Sequence, residues 1–224
     1  MQLGKSNVKE KKYSMDKQGV MGMILNEKIV AIVRVDDALS AMKAVEAIYK
    51  GGIRIIEITW TVPKADEVIS RIKREMGDDI LLGAGTVIDS DLCHRALEAG
   101  AEFIVSPNVN YDVIRLTGEA GKVVIPGAMT PTEIVNAWQA GSDMVKLFPA
   151  DLLGIPYIKT IRGPLPQIPL MATGGISADN ARDFLASGVQ ALGVGGKLVD
   201  KKLIASGDWD QLTRNTEELL YAIR

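Results

Sequence analysis

The architecture of this chain is clearest in the segment KVVIPGAMTPTEIVNAWQAGSDMVKLFPA, residues 122–150. Two short apolar runs rich in β-branched residues, KVVIPGA and MVKLFPA, enclose a stretch with helical periodicity. That stretch opens on Thr-Pro and closes on Ala-Gly, which are favoured residues at helix starts and ends. The segment therefore predicts a strand, a helix and a second strand, the unit from which parallel sheets are built.

The same unit repeats on both sides of this segment. The strand candidates are KIVAIVRV, IRIIEIT, ILLGAGT, EFIVSP, KVVIPGA, MVKLFPA, LMATGG and ALGVGG. Most of the helical stretches between them begin at Asp, Ser, Thr or an early Pro and end at Gly. Eight strand–helix units in roughly 200 residues fit a closed (β/α)8 TIM barrel, whereas an open doubly wound sheet would leave two units unused. We predict the closed barrel, with a short extra helix over residues 18–26.

The two ends of the chain differ in their expected order. Residues 18–224 are predicted to form a single barrel domain, since no Ser/Pro-rich linker interrupts the repeat. Residues 1–17 are rich in lysine and lack apolar periodicity, so we expect a disordered or weakly ordered extension. Alternatively, translation starts at an internal methionine such as Met15, and the residues before it are upstream sequence.

Composition narrows the classes of function. The 224 residues are 47% hydrophobic and 24% charged, with a formal net charge of -2 and evenly mixed signs, so we expect neither a nucleic-acid nor a membrane partner. One cysteine, Cys93, excludes an internal disulfide, and no signal-like or membrane-spanning run is present, which together favour the cytoplasm. His94 is the only histidine, which argues against histidine-rich zinc sites and against Ser-His or Cys-His nucleophiles. Magnesium bound by carboxylates stays open at this point.

Two charged residues are predicted inside the barrel. Side chains alternate along a strand, so Glu57 and Lys146 both point inward if the faces they share with apolar residues are the inner ones. Desolvation lowers the pKa of a lysine and yields a neutral amine that attacks ketones, while a nearby carboxyl group carries protons. This pair predicts aldol cleavage of a 2-keto acid through an imine, with no metal and no cofactor. The alternatives are a buried structural ion pair, or a lysine that reaches out to solvent.

Glycine pairs follow the last two predicted strands. Thr173, Gly174 and Gly175 close one strand, and Gly195 and Gly196 close the next. TIM barrels commonly bind phosphate at this place through backbone N–H groups. The glycines therefore predict a phosphate site, although simple turn formation would also explain them.

Other strand ends supply lesser candidates for substrate binding. Arg34 could hold a carboxylate by a forked pair, or stand free in a loop. Thr86 could bind a carboxylate or hydroxyl, or cap the helix that opens at Asp89 or Ser90. Pro107 and Phe148 could shape the wall around the imine carbon, or belong to the core.

The motifs together resemble a known family. GGIRIIEITWTVP, GAGTV, AEFIVSPN, IPGAMTPTE, VKLFPA and ATGGIS occur in the order found in the bacterial 2-keto-3-deoxy-6-phosphogluconate (KDPG) and 4-hydroxy-2-oxoglutarate (KHG) aldolase family. The resemblance runs from about residue 28 to residue 199. It implies a class I aldolase on a (β/α)8 barrel, usually a homotrimer, that forms pyruvate plus glyceraldehyde 3-phosphate or glyoxylate.

The resemblance also assigns roles to residues. It implies that Lys146 forms the imine, that Glu57 is the acid and base, and that Phe148 stacks beside the imine. The positions it implies around the pyruvoyl end are Arg34, Thr86 and Pro107, and those it implies around the phosphate are Gly174, Gly175 and Gly195.

Two departures from the family pattern concern the distal end of the substrate. Thr61 stands where some members have an arginine, and Gly196 followed by Lys197 stands where many have a serine. Lys197 could replace the missing donor or point into solvent. The sequence therefore leaves open which substrate is preferred and its stereochemistry at carbon 4.

Two other functions remain as alternatives. One is a phosphosugar isomerase, epimerase or decarboxylase that uses the same glycine pairs without an imine. The other is a non-catalytic assembly subunit or sensor, for which Ile134, Trp138 and Tyr157 would be exposed contact residues.

Overall fold

The computed structural model describes residues 15–224, apart from the side chain of Asp78. The predicted extension over residues 1–17 therefore lies almost wholly outside the described residues. The first helix, α1, spans Lys17–Glu27, within one residue of the predicted helix at each end. It begins at Lys17 because the side chain of Asp16 accepts a hydrogen bond from the N–H of Gly19 at 2.8 Å.

Strands and helices alternate along the described chain. The strands are β1 Ile29–Val33, β2 Ile55–Thr59, β3 Leu81–Gly85, β4 Phe103–Val105, β5 Val123–Ile125, β6 Gly127–Ala128, β7 Val145–Leu147, β8 Leu170–Thr173 and β9 Ala191–Val194. The further helices are α2 Ala38–Lys50, α3 Ala65–Met76, α4 Ser90–Glu98, α5 Tyr111–Glu119, α6 Pro131–Gln139, α7 Ala150–Arg162, α8 Ala181–Ala186, α9 Lys201–Ser206 and α10 Trp209–Ile223. A short 3-10 turn, Gly77–Asp79, follows α3.

The strands form a closed parallel barrel, as predicted. Within residues 15–224 the pairing order is β5-β4-β3-β2-β1-β9-β8-β7-β6, and every described pair is parallel. The two outer strands, β5 and β6, are halves of the predicted fifth strand, separated only by Pro126. Proline has no N–H to donate to a ladder, but its carbonyl accepts a hydrogen bond from the N–H of Lys146 at 2.9 Å. The two edges are therefore joined through Pro126.

The lower half of the barrel interior is filled by apolar side chains. This cluster includes Val30, Ile55, Phe103, Val123, Ile125, Met144 and Met171. Val20 and Ile24 of α1 belong to the same cluster and are almost fully buried, so α1 closes the amino-terminal end of the barrel. A second and larger cluster lies between the strands and the surrounding helices.

Three helices lie in segments for which no helix was predicted. The α7 helix is broken at Gly154, which is in a left-handed conformation, and contains Pro156, so its sequence resembles a turn. The α9 helix has no buried residue, and therefore carries no apolar periodicity. The α10 helix packs on α2 and α8 at the outside of the barrel. No helix in the described part of the chain is long and apolar enough to cross a membrane.

The structure corrects one expectation about exposed apolar residues. Ile134 was predicted to be exposed, but it is fully buried because it lies with Ala137 on the inner face of α6. Trp138 is only half-buried and packs on the core. Tyr157 is also half-buried, and its hydroxyl donates to the carbonyl of Met129 at 2.5 Å. These residues do not form an exposed contact surface.

Candidate active site

Glu57 and Lys146 lie inside the barrel, at its carboxyl-terminal half. Ile55 of β2 belongs to the interior cluster, and Glu57 stands two residues further on the same face. Lys146 likewise follows the interior residue Met144 by two positions. The exposed fraction is 1% for Glu57 and 6% for Lys146, so both ionisable groups are removed from water.

Burial shifts the pKa of each group in the direction that favours its neutral form. It raises the pKa of Glu57, and the positive charges of Lys146 and Arg34 only partly oppose this. It lowers the pKa of Lys146, an effect that the charge of Glu57 opposes and that of Arg34 reinforces. The Oε2 atom of Glu57 is buried without a hydrogen-bond partner among the described residues. The site thus combines an amine whose pKa is lowered with a carboxyl group whose pKa is raised.

Glycines make room around these two groups. A Cβ atom on Gly85 of β3 would overlap the carboxyl group of Glu57, and one on Gly193 of β9 would overlap the hydroxyl of Thr173. A Cβ atom on Gly127 of β6 would overlap the backbone of Pro107. The apolar filling of the lower barrel is therefore replaced in the upper barrel by polar side chains packed against bare backbone.

A cavity of about 450 Å³ opens above Lys146. Its lining includes the predicted site residues Arg34, Lys146, Phe148, Thr173, Gly174, Gly175, Gly195 and Gly196. The ammonium nitrogen of Lys146 lies 5.0 Å from the centre of the Phe148 ring. The amine, an aromatic wall, a guanidinium group and the two glycine pairs therefore share one chamber.

The glycine segment after β8 adopts a backbone that other residues rarely adopt. Gly174 has φ 119° and Gly175 has φ 66°, so both lie in the left-handed region. Asn180 holds this turn by donating its side-chain N–H to the carbonyl of Gly175 at 3.0 Å. The hydroxyl of Thr173 is buried with no partner among the described residues and lines the cavity. This leaves an unused donor beside exposed backbone, as a bound anion requires.

Four of the predicted site residues do not line this cavity: Glu57, which is buried in the barrel, and Thr61, Thr86 and Pro107. Thr61 is exposed beyond β2 and shares a hydrogen bond of 2.7 Å with Thr59. Thr86 directly follows Gly85 and has φ 61°, which is unusual for a β-branched residue. It does not cap α4, because Asp89 does so. Pro107 lines a second cavity of about 320 Å³, which shares Phe148 with the first.

Several residues of the main cavity were not predicted from the sequence. Ile32 and Val199 contribute to its wall, and Lys201, the first residue of α9, lines its outer part. Ile176 and Gly193, which end and begin the two glycine-rich segments, line it too, as does Lys197, whose direction the sequence left open. Alternation along β1 could have indicated Ile32. No sequence pattern marks Lys201, which comes to the cavity only through the fold.

Two further observations concern metal binding and histidine. Among the described residues, no group of three or more His, Cys, Asp or Glu side chains is placed to hold a metal ion. His94 is exposed on α4, remote from the lining of the main cavity.

Nearly the whole chain is similar to proteins of known activity. Residues 20–215 match the family model described as KDPG and KHG aldolase. The 2-dehydro-3-deoxy-phosphogluconate aldolase of Haemophilus influenzae is 34% identical, over 92% of this chain and 98% of that protein. The KHG/KDPG aldolase of Escherichia coli is 32% identical, over 85% of this chain and 89% of its own length.

Solved structures give the same result. The KDPG aldolase of Legionella pneumophila, with pyruvate captured at low pH as a covalent carbinolamine intermediate, superimposes with a TM-score of 0.83 at 27% identity. The match covers 92% of this chain and 99% of that one. A carbinolamine is the adduct of an amine with a ketone, which is the step that precedes an imine.

Proposed function

Because this chain belongs to the KDPG and KHG aldolase family, we propose that Lys146 is its imine-forming amine and Glu57 its proton carrier. The chain is a carbon–carbon lyase, an aldolase of the class I type that uses a Schiff base. The observation that supports the assignment is the burial of these two ionisable groups in the upper barrel, with Lys146 in the wall of the main cavity. Burial shifts the pKa of each group in the direction that favours its neutral form.

Imine formation requires a neutral amine and a proton donor. With its pKa lowered by burial, Lys146 has a free electron pair to attack carbon 2 of a 2-keto acid. The carbonyl oxygen gains the amine proton, which gives a carbinolamine. Glu57, whose pKa is raised, donates its proton to that hydroxyl, and water leaves. The products of this step are an iminium ion at Lys146 and a carboxylate at Glu57.

Cleavage reverses the direction of proton flow. The carboxylate of Glu57 takes the proton of the carbon-4 hydroxyl, the bond between carbons 3 and 4 breaks, and its electron pair moves into the iminium ion. The aldehyde leaves, and an enamine remains on Lys146. Glu57 returns the proton to carbon 3, and water then adds to the iminium ion and gives a proton to the Glu57 carboxylate. The resulting carbinolamine breaks its C–N bond, with its hydroxyl proton passing to nitrogen, and releases pyruvate and the neutral amine of Lys146. The aromatic ring of Phe148 lies beside the nitrogen throughout.

Other predicted site residues are assigned to substrate binding. We assign Arg34 to the carboxylate of the 2-keto acid, since its guanidinium is the forked donor that lines the cavity. Thr86 and Pro107 are assigned to the same end of the substrate and Thr61 to its distal part, on the resemblance alone. Thr173, Gly174, Gly175, Gly195 and Gly196 are assigned to the distal phosphate. The substrates are accordingly KDPG, cleaved to pyruvate and glyceraldehyde 3-phosphate, and KHG, cleaved to pyruvate and glyoxylate.

Chemical trapping tests the central assignment. Borohydride added with pyruvate should reduce the imine and leave one pyruvate-derived group on Lys146, identified by peptide mass spectrometry. Lys146→Ala should lose trapping and at least about 1,000-fold in kcat, because Lys146 is the buried amine of the cavity, whereas Lys197 and Lys201 are exposed at its outer part. A Lys146→Ala protein that cleaves either substrate at the normal rate would exclude the mechanism.

We also propose that the chain acts as a homotrimer in the cytoplasm. The trimer follows from the family resemblance, and light scattering of the purified protein measures the number of chains. The compartment is in keeping with a lone cysteine, Cys93, that is buried and unpaired. Cell fractionation tests it.

A further inference from the structure

Two lysines at the outer part of the main cavity have no role in the steps above. Lys197 follows the glycine pair after β9, and Lys201 is the first residue of α9. Both line the cavity, and both are exposed. Neither takes part in an ion pair with any of the described residues. Two cations without a carboxylate partner therefore face the same space as the glycine turns.

The backbone that carries these lysines is firmly held. Leu198 and Val199, which lie between them, are buried, and their N–H groups donate to the carbonyl of Gly195 at 2.8 and 2.9 Å. Asp200 fixes the start of α9, because its carboxylate accepts the N–H of Lys202 at 2.7 Å. The two lysine stems thus start from fixed points, so that only the side chains need to be ordered on binding.

The charge balance of the cavity favours a ligand with more than one negative charge. Apart from Lys146, its lining holds the cations Arg34, Lys197 and Lys201 against one carboxylate, that of Asp200. A 2-keto acid brings one carboxylate, and a phosphate monoester adds a charge of about -1.5 to -2 at neutral pH. Three cations and one carboxylate leave the lining a net charge of +2, which a second carboxylate matches and a six-carbon phosphorylated acid slightly exceeds. The choice of a phosphate therefore rests on the glycine turns beside the two lysines, which present backbone N–H groups to an anion.

The neighbouring cavity limits where this anion can lie. It shares Arg34, Val199 and Lys201 with the main cavity, but its far side carries Asp36 and Asp37. Two carboxylates repel an anion that moves beyond Lys201. The favourable position is therefore on the inner side of Lys201, next to Lys197 and the glycine turns.

We propose that Lys197 and Lys201 bind the terminal phosphate monoester of the substrate and set the preference for a phosphorylated over an unphosphorylated 2-keto acid. This inference rests on the proposed aldolase function and adds a specificity determinant to it. The two ammonium groups would take the place of the serine and arginine that the resemblance implies in other members of the family. The backbone N–H groups and the hydroxyl of Thr173 supply hydrogen bonds.

Steady-state kinetics with KDPG and KHG tests the proposal. Lys197→Gln and Lys201→Gln should each raise the KM for KDPG by about 3- to 10-fold, and the double variant by about 10- to 50-fold, since exposed ion pairs are weaker than buried ones. The kcat for KDPG and the KM for KHG should change by less than about twofold, because uniform binding of the distal group is lost and the chemistry is not.

Lys202→Gln is the matched control, since Lys202 is the next residue of α9, is exposed and lines none of the cavities described above. It should leave both KM values unchanged. An unchanged KM for KDPG in the double variant would overturn the proposal, and so would an equal rise in the KM for KHG. Pyruvate trapping distinguishes a failure of the lysine assignment from a failure of the aldolase mechanism. Normal trapping with no change in the KM for KDPG refutes only the lysine assignment, whereas failure of wild-type trapping refutes the aldolase mechanism itself.

Discussion

Three charged residues, Lys146, Glu57 and Arg34, control the reactivity of the site. Burial is the main cause of both pKa shifts, and it works in opposite directions on the amine and the carboxyl group. The guanidinium of Arg34 acts in one direction, because its positive charge lowers the pKa of both partners. Arg34 therefore helps to keep the amine of Lys146 unprotonated, in addition to any contact with substrate.

Removal of Arg34 should shift the pH profile of the enzyme. In Arg34→Gln the pKa of Lys146 rises, so the amine stays protonated to higher pH. The acidic limb of the kcat/KM profile therefore shifts to higher pH. The pKa of Glu57 also rises, so its carboxyl group stays protonated to higher pH, and the basic limb shifts to higher pH as well. At neutral pH we expect kcat/KM to fall about 10-fold or more, because a charge-assisted contact is lost as well.

Arg34→Lys is the control for this prediction, since it keeps the charge and loses the forked geometry. Its pH limbs should stay near those of the wild type while KM rises. If Arg34→Gln lowers the rate at every pH with both limbs unmoved, Arg34 acts only through the substrate and not on the ionisable pair.

The inward direction of the Glu57 and Lys146 side chains could be predicted from the sequence, whereas the atoms around them could not. Alternation has a period of two, so one buried neighbour such as Ile55 fixes the direction of every second side chain in β2. The approach of Gly85 to Glu57, and the unpartnered Oε2 atom, depend on contacts between strands. Such contacts leave no trace in the order of residues along one strand.

At the scale of strands, the pairing of β2 with β3 makes Gly85 critical. A Cβ atom at this position would overlap the carboxyl group of Glu57, so Gly85→Ala must displace that group. Misplacement by about 1 Å can cost 100-fold in rate, and we expect a fall in kcat of this order. Overpacking should also lower the free energy of unfolding by about 1–3 kcal/mol. Turnover assays and urea unfolding measure the two effects.

Gly118→Ala in α5 provides the comparison. A Cβ atom there meets no other atom within 4 Å, so activity should be unchanged. The free energy of unfolding should rise by about 0.5–1 kcal/mol, because alanine loses less backbone entropy in a helix than glycine does. Wild-type turnover by Gly85→Ala would show that Glu57 tolerates displacement and would count against its catalytic role.

Most elements with a buried face were predicted from the sequence, whereas α9, which has no buried residue, was not. The β2 and β7 strands and the α6 helix combine apolar periodicity with recognisable caps, and the structure places them within a few residues of the predicted bounds. The α9 helix lies on the surface and has no fully buried residue, although Ile204 packs partly against the core, so its sequence shows no apolar periodicity. Lys201 is carried by that helix, which explains why its place at the cavity was visible only in three dimensions.

At the scale of the whole barrel, stability and activity are separated along its axis. The lower interior is apolar and is closed by α1, whereas the upper interior contains a buried amine, a buried carboxyl group and glycines. The closure itself followed from counting eight units, since a sheet with that many parallel strands has no free edge when it closes. The unequal filling of the two halves did not follow from that count, because both halves have the same strand pattern.

The buried ionisable pair should therefore reduce the stability of the folded chain. Lys146→Met keeps a side chain of similar length and removes a group that must be desolvated, so we expect the free energy of unfolding at neutral pH to rise by about 1–3 kcal/mol while cleavage is lost. Because the pKa of Lys146 is lowered in the folded chain, the unfolded chain holds more protons between the folded and unfolded pKa values. The stability of the wild type then rises with pH across that window, and its difference from Lys146→Met should narrow at alkaline pH.

Ile24→Ala makes the opposite change at the other end of the barrel. Ile24 is fully buried beneath the interior cluster, so its truncation should lower the free energy of unfolding by about 2–4 kcal/mol and leave kcat unchanged. Urea unfolding measures the free energy of unfolding of both variants, and turnover assays measure their kcat. If Lys146→Met proves less stable than the wild type, the lysine contributes to folding through contacts beyond its charge. The division of the barrel into a stabilising lower half and a destabilised catalytic upper half would then be wrong.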